Sequence, residues 1–505
     1  MSRADRIALV LSLVTILVAF YVTIQYFEAL PHLEDEIAYV WQARAIADGN
    51  LFVASPPQAK SFLVPFVVDY NGIRFGKYPL GWPILLGIGI RLGIRSLVNP
   101  LLAGLGVWLT YRLGQKIFGE TVGIIASVLT LTSPFFLMNS GSLLSHSFGL
   151  VLSLGFALSW INGFGEQENS QRRLAIAAAG VTLGTLALTR PLTAVAVGFP
   201  FALHGINLLI RKGWSTRWRV IAVGGLALGI GALTFLWQYA ATGDALLNPY
   251  TLWWEYDKIG FGPGYGLTEN GHSLNLARIN TRFSLGVGYS DLFGWLRYSW
   301  IFLPFGLLAV ILRRNWLGLL VGAVFPSLVI FYAAYWVGAW LFGPRYYFEG
   351  LFSLTLLSGA GIAWLAGWPI LPCEAWHSYS GWKRLRPLLV LAFVSILVIG
   401  NLVYYAPLRL SNLRGLYGME GSDLRPFLNE HAQELTPALV VVHPKNWMEY
   451  GVLLDLQTPD LDSPFIFIFS GSRESDEALR DYFPERDFYH YYPSEPYVFY
   501  KSPKP

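Results

Sequence analysis

The stretch IALVLSLVTILVAFYVTIQYF, residues 7–27, decides the fold class. It meets the length of about 20 mostly apolar residues that a helix needs to cross a bilayer. It is too long for the apolar core of a signal peptide, and no small-residue cleavage site follows it, so it reads as an uncleaved anchor. Working outward, further apolar runs lie near 98–115, 121–139, 143–164, 172–190, 192–210, 218–241, 299–313, 316–337, 346–368 and 386–405. Together they predict about eleven spans. The 299–313 run is short, and the 172–210 pair is divided only by Arg190-Pro191. Composition agrees: 54% of residues are hydrophobic and 13% charged, against about 25% charged in soluble chains. Such a deficit fits lipid as a solvent. Aromatics reach 16%, with 19 Trp and 27 Tyr, residues that favour membrane–water interfaces.

Charge orients the spans. With the amino terminus in the cytoplasm, the inner segments carry Arg3 and Arg6, Arg112 and Lys116, Arg172 and Arg173, then Arg211, Lys212, Arg217 and Arg219. Arg313 and Arg314 follow, then Lys383, Arg384 and Arg386. Every inner segment is basic, which is the positive-inside pattern. An odd number of spans puts the carboxyl terminus outside the cell (plasma or inner) membrane. Residues 1–405 then form an all-α polytopic membrane domain with outer loops at about 28–97 and 242–298. Residues 406–505 form an outer tail with strand-like runs Ala438–His443 and Pro464–Phe469 and a helical-looking segment Arg473–Phe483, enough for a small α/β domain. The net charge of +4 is small for this length and gives no reason to expect nucleic acid. The single cysteine, Cys373, allows no intrachain disulfide and leaves the redox compartment unread.

Four constellations are candidates for chemistry. The first is Glu34-Asp35-Glu36, a few residues past the first span. Three adjacent carboxylates repel one another, and low-dielectric surroundings raise the cost of ionising them all. One can serve as a general base, or two can bind a divalent cation. The residues that follow, with Ile37, Val40, Trp41 and Arg44 at helical spacing, predict an outer amphipathic helix. The acids then also suit its dipole, as a cap with no further role. The second is Gly76-Lys77-Tyr78-Pro79-Leu80-Gly81-Trp82. Lys77 stands before a run too short and Pro-broken to span, and can hold a phosphate or snorkel to lipid headgroups. The third is Gly343-Pro344-Arg345-Tyr346, where Arg345 is the lone base of a short outer turn. It can bind an anion or pair with Glu349 four residues on. The fourth is the glycine-rich loop 260–266, followed by His272 and Arg278. It carries no lysine at phosphate-loop spacing and can act as a lid. His146 and Arg190, at span ends, are ionisable groups of the kind that mark function in membranes; both can also simply face outer water.

The order of these motifs resembles the GT-C superfamily of integral membrane glycosyltransferases, and within it the protein O-mannosyltransferases and aminoarabinose transferases of bacterial membranes. The resemblance rests on the first helix, Asp35-Glu36 followed by Tyr39, Lys77 before Pro79-Leu80-Gly81-Trp82, Leu188-Thr189-Arg190-Pro191 and Gly343-Pro344-Arg345-Tyr346, and covers roughly residues 5–405. It implies transfer of a sugar, hexosyl or pentosyl, from a polyprenyl-phosphate donor to a protein, lipid or glycan acceptor on the outer face. Asp35 matches the acidic catalytic residue and Glu36 its neighbour. Tyr39, Lys77, with Tyr78 beside it, and the pair Arg345-Tyr346 match donor-site positions, with Lys77 on the lipid phosphate. Some members have an acid directly before the lysine; Gly76 stands there, which leaves any divalent cation open. The chemistry expected is an inverting transfer with Asp35 acting on the acceptor hydroxyl. Rival readings are a transporter or flippase of a lipid-linked saccharide, a non-catalytic assembly protein, and a glycan polymerase or ligase. The nearly charge-free middles of the spans count against transport.

Overall fold

The first helix, α1 (Arg3–Gln25), is capped by Ser2, which accepts from Asp5 N while the Asp5 carboxylate accepts from Ser2 N. Its small residues Ala4, Ala8, Ser12, Thr15 and Ala19 are buried along one stripe, whereas Leu9, Val10, Leu13, Leu17 and Tyr21 are exposed. The small stripe lets α4 (Val98–Phe118) approach closely: Ser12 Oγ donates to Gly104 O at 2.6 Å. A side chain at Gly104 would lie 2.4 Å from Ile16. Small residues inward and large apolar ones outward is the pattern of helices packed in lipid. These details come from a computed structural model that describes residues 1–165, 171–372, 374 and 384–504. Cys373 and Lys383 lie outside the described residues.

Between α1 and α4, the chain forms α2 (Glu34–Ala47), a three-stranded antiparallel sheet and α3 (Gly81–Arg91). The sheet has the order β1-β3-β2, with β1 at Val53–Ala54, β2 at Val67–Tyr70 and β3 at Ile73–Gly76. The β2–β3 hairpin turns on Asn71-Gly72, both at positive φ (51° and 81°), which suits the twist of two-residue hairpins. After α4 come α5 (Glu120–Leu131), α6 (Pro134–Gly141), α7 (His146–Phe164), α8 (Arg172–Ala187), α9 (Pro191–Arg211), α10 (Trp214–Gly231) and α11 (Leu233–Thr242). A loop with the short α12 (Pro249–Trp253) leads to α13 (Leu274–Asp291), α14 (Leu303–Leu312), α15 (Trp316–Gly322), α16 (Val324–Tyr332), α17 (Leu351–Ala366) and α18 (Leu385–Gly400).

Among the described residues, six helices are long and apolar enough to cross a membrane, or eight if each of two bent pairs counts as one span. The expected count of about eleven therefore exceeds what length and composition support here. α8 has only 16 residues, Trp316–Tyr332 falls in the shorter apolar class, and α4, with 21 residues, is long enough but not apolar enough to be counted. That the protein is integral to a membrane follows from α18. Beyond Arg386 in its first turn this helix is almost wholly apolar yet has no buried residue, a surface that suits lipid.

The C-terminal segment forms a four-stranded sheet, order β5-β4-β6-β7: β4 is Ala438–Val442, β5 Phe465–Phe469, β6 Asp487–Tyr491 and β7 Phe499–Tyr500. β4 runs parallel to β5 and β6, and a helix at Arg473–Tyr482 connects β5 to β6. This layer caps α2. Ile37, Trp41 and Ala45 share one apolar core with Val440, Val442, Tyr450 and Phe467. Arg44 pairs with Asp455 at 2.9 Å and Arg95 pairs with the same carboxylate at 2.6 Å. So α2 does not lie on a membrane as an amphipathic surface helix. Apolar residues on opposite sides of it, Ile37 and Trp41 on one and Ala38, Tyr39 and Ala43 on the other, are buried against two different cores.

Candidate active site

The three acids at the start of α2 are separated by the helical turn. Glu36 is 0% exposed and reaches back over the helix start. It accepts from His32 N (2.8 Å), Leu33 N (2.9 Å) and, across the fold, Leu143 N (2.6 Å). Burial raises its pKa and these three donors oppose the rise. Glu36 is thus a cap and a tie to the segment before α7, and it lines no cavity. Asp35, one residue earlier, points the other way. Its Oδ1 accepts from the Tyr78 hydroxyl and its Oδ2 from Arg345 Nη2 at 3.2 Å. Burial works to raise its pKa, but the Arg345 guanidinium, the Tyr78 hydroxyl and Lys77 outweigh it, so the carboxyl stays ionised below the usual range. Glu34 also faces the cavity, its pKa raised by burial and by Asp35.

Lys77 leaves the end of β3. Gly76 before it packs against α2, where an added side chain would come within 3.2 Å of Gln42 Oε1. Lys77 is 3% exposed and is enclosed by aromatic rings: its Nζ lies 3.8 Å from the Phe66 centroid and 4.9 Å from those of Tyr250 and Trp254. Such rings favour a cation that water cannot reach. Its counterion is Asp257, at 3.0 Å. Burial lowers the Lys77 pKa, with Asp257 opposing. Asp257 in turn accepts from Tyr335 Oη (2.8 Å) and Trp336 Nε1 (3.1 Å).

The glycine-rich loop is clasped onto the same segment. Gly260 N donates to Ala334 O, and Gly262 N donates to His272 O, both at 2.8 Å. A side chain at Gly271 would overlap Gly262 O at 1.6 Å. His272 bonds Ala333 O through Nε2 at 2.9 Å and stacks on Phe261. It serves this clasp and is not in the cavity wall, and Arg278 is exposed on α13, also away from it. These two sequence candidates for substrate contact are therefore not among the residues that line this cavity.

Arg345 does not pair with Glu349; it turns to Asp35 instead. Tyr346 stacks on Tyr332, with centroids 5.0 Å apart. Tyr39 packs against Tyr78, with centroids 4.5 Å apart and the rings tilted by 39°. Glu349 is taken by Arg190 Nε and His146 Nδ1, both at 3.1 Å. Asp35, Tyr39, Lys77, Tyr78, Arg345 and Tyr346 all line one cavity of about 1400 Å³, with Arg190, Asp257, Tyr335 and Trp336. The cavity has two parts. A charged, aromatic chamber lies beneath α2, and an apolar cleft runs from it between α8, α9 and α10, past Ala187, Val195, Gly198, Ala202, Ala227 and Gly231. Asp257, Tyr335 and Trp336 carried no signal in the sequence, because an acid in an aromatic loop shows nothing until its partner is known.

Asp35 is held between Arg345 and Tyr78, Asp257 is held by Lys77, and Gly76 brings no carboxylate. Among the described residues, no group of three His, Cys, Asp or Glu side chains is placed to hold a metal ion.

No protein-family model matches the chain, and no curated protein does either. Solved structures do. ArnT from Cupriavidus metallidurans, bound to undecaprenyl phosphate, is 15% identical with a TM-score of 0.59, over 94% of this chain and 88% of that one. The oligosaccharyltransferase of Archaeoglobus fulgidus is 11% identical with a TM-score of 0.52, over 95% of this chain and 69% of that one. The chain shares the fold of these solved structures. At such identities the likeness speaks to the fold, and the chemistry rests on the cavity.

Proposed function

We propose that the protein transfers a sugar from a polyprenyl-phosphate donor to an acceptor hydroxyl. The observation that carries this reading is the two-part cavity: an apolar cleft that suits an isoprenoid chain opens into a chamber holding an ionised Asp35 and the cations Lys77 and Arg345. A lipid phosphate needs both halves, and a water-soluble nucleotide donor needs only the second. The ArnT likeness, with undecaprenyl phosphate bound in that protein, supports the same donor class.

The acceptor hydroxyl hydrogen-bonds Asp35, whose side chain is 27% exposed toward the cavity. As its oxygen attacks the anomeric carbon, its proton passes to the Asp35 carboxylate. The bond from that carbon to the phosphate oxygen breaks, with inversion, and polyprenyl phosphate leaves with the bonding pair. Lys77 and Arg345 offset the charge that grows on the phosphate. Tyr39, Tyr78 and Tyr346 wall the space between them and suit the faces of a sugar ring. The basic amino-terminal segments argue for a cytoplasmic amino terminus, which sets the chamber, at the far end of α1, on the outer face of the cell membrane.

Purified protein supplied with labelled lipid-linked sugar tests the reading. Wild type transfers label and Asp35→Asn does not, while both retain undecaprenyl phosphate. Wild-type turnover by Asp35→Asn would remove the proposed chemistry.

A further inference from the structure

Four cations line the cavity: Lys258 is exposed to solvent, and each of the other three has a carboxylate partner. The partners of Lys77 and Arg345 are Asp257 and Asp35, and both of these carboxylates line the cavity themselves. An anion that reaches Lys77 or Arg345 therefore meets a negative charge beside the positive one, which weakens its binding. Arg190 is arranged differently. Its partner Glu349 is 0% exposed and lies behind it, outside the cavity wall.

The local structure shows how Arg190 is aimed. It sits at the break between α8 and α9, where Pro191 starts the next helix. Its Nε faces Glu349 Oε1 at 3.1 Å. Nη1 donates to Ser145 Oγ at 3.1 Å and Nη2 to the Tyr332 hydroxyl at 3.3 Å. A guanidinium carries two N–H groups on each terminal nitrogen, so each of these nitrogens has a second donor beyond those bonds. Glu349 is itself seated by His146 Nδ1 at 3.1 Å, and Gly149 on α7 makes room for it: a side chain there would lie 2.7 Å from Glu349 Oε1. The break at Arg190 is also where the apolar cleft, with Ala187 and Val195, meets the chamber, with Tyr39 and Arg345. A lipid whose isoprenoid chain fills the cleft has its phosphate at that junction.

We infer that Arg190 is the anchor of the donor phosphate, gripping it with its two terminal nitrogens, and that Glu349 is the positioning residue that aims it. This rests on the lipid-phosphate donor proposed above. It differs from the roles given to Lys77 and Arg345: those act on charge that develops as the sugar leaves, whereas Arg190 holds the phosphate before and after. Two-pronged contact with phosphate oxygens suits arginine and not lysine.

The test compares binding of undecaprenyl phosphate and of undecaprenol, the same lipid without phosphate, to the full chain in lipid nanodiscs. Wild type prefers the phosphate. Arg190→Gln loses roughly 10–100-fold in affinity for the phosphate lipid, the worth of charge-assisted hydrogen bonds, and keeps its affinity for undecaprenol. Arg190→Lys recovers only part of the loss. Glu349→Gln lowers the preference for phosphate and leaves undecaprenol binding unchanged, which a merely structural role would not do. Wild-type phosphate preference in Arg190→Gln overturns the inference, as does an equal loss of both lipids in Arg190→Gln and Arg190→Lys. A wild-type protein that binds the two lipids alike overturns the donor reading itself.

Discussion

Replacing Asp257 by asparagine probes a pair that joins two distant loops. The amide keeps the shape of the side chain and removes its charge, leaving the Lys77 ammonium without a counterion inside a shell of aromatic rings. Removing one member of a buried pair costs about 3–5 kcal/mol. The lysine has an alternative, which is to lose its proton. At about 1.36 kcal/mol per pH unit below an ordinary value near 10.4, deprotonation at pH 7 costs roughly 5 kcal/mol, so the penalty cannot exceed that. The sign of the pH dependence follows. A lysine whose folded pKa is depressed is fully penalised where it is charged in both states, and the penalty shrinks as pH rises toward the unfolded value. Thermal unfolding of wild type and Asp257→Asn in detergent between pH 6 and 9 reads this directly. The gap in stability should be widest at pH 6 and narrow steadily upward. A constant gap, or none, would refute the idea that Asp257 exists to hold the Lys77 charge.

Other consequences are as direct. In Glu36→Gln, an amide N–H₂ replaces one acceptor oxygen, so at least one of His32 N, Leu33 N and Leu143 N loses its partner; the cost is about 1–3 kcal/mol, seen as a lower unfolding temperature, whereas an unchanged temperature would return Glu36 to the list of chemical residues. The alkaline limb of kcat/KM should fall below the ordinary lysine value of about 10.4, because burial lowers the Lys77 pKa; Lys77→Arg should lift that limb out of range, and an unmoved limb would dissociate it from Lys77. Gly198→Leu fills the apolar cleft, since its first added atom already touches Leu183 at 3.4 Å. Displacing two or three buried methylenes of the lipid costs about 2 kcal/mol, roughly 30-fold in affinity for undecaprenyl phosphate and undecaprenol alike, and a loss confined to the phosphate lipid would remove the cleft from the lipid path.

How much of this was legible depends on the range of the physics involved. Solvent preference is local, so the apolar runs, the start of α2 and the strands Ala438–Val442 and Phe465–Phe469 could be read from neighbouring residues. Span number was harder, because the apolar runs at 172–190 and 316–337, read as spans, form helices shorter than a span needs. The hairpin at Asn71-Gly72, which carries Lys77 at its end, was not read from the sequence, although Asn-Gly between strand-like runs is its signal. Roles within the acidic triplet depended on which way each carboxylate points. Asp35 and Glu36 are adjacent, yet one faces Arg345 and the other Leu143, and only the packed fold separates them. The pairs that build the chamber are longer-ranged still. Lys77 and Asp257 are 180 residues apart, and Arg345 passes over Glu349, four residues away, to reach Asp35 across 310. His272 looks unattached in the sequence, because its backbone partner Ala333 lies 61 residues away.

The central claim is that Asp35 moves a sugar off a polyprenyl phosphate. Mass spectrometry of lipid-linked sugars and envelope glycoconjugates, in cells with the wild-type protein, with Asp35→Asn and with none, tests it most directly. The account predicts that one polyprenyl-phosphate sugar accumulates, and one sugar disappears from an envelope acceptor, equally in the Asp35→Asn and null cells. An acceptor modified to the wild-type level in Asp35→Asn cells would contradict it.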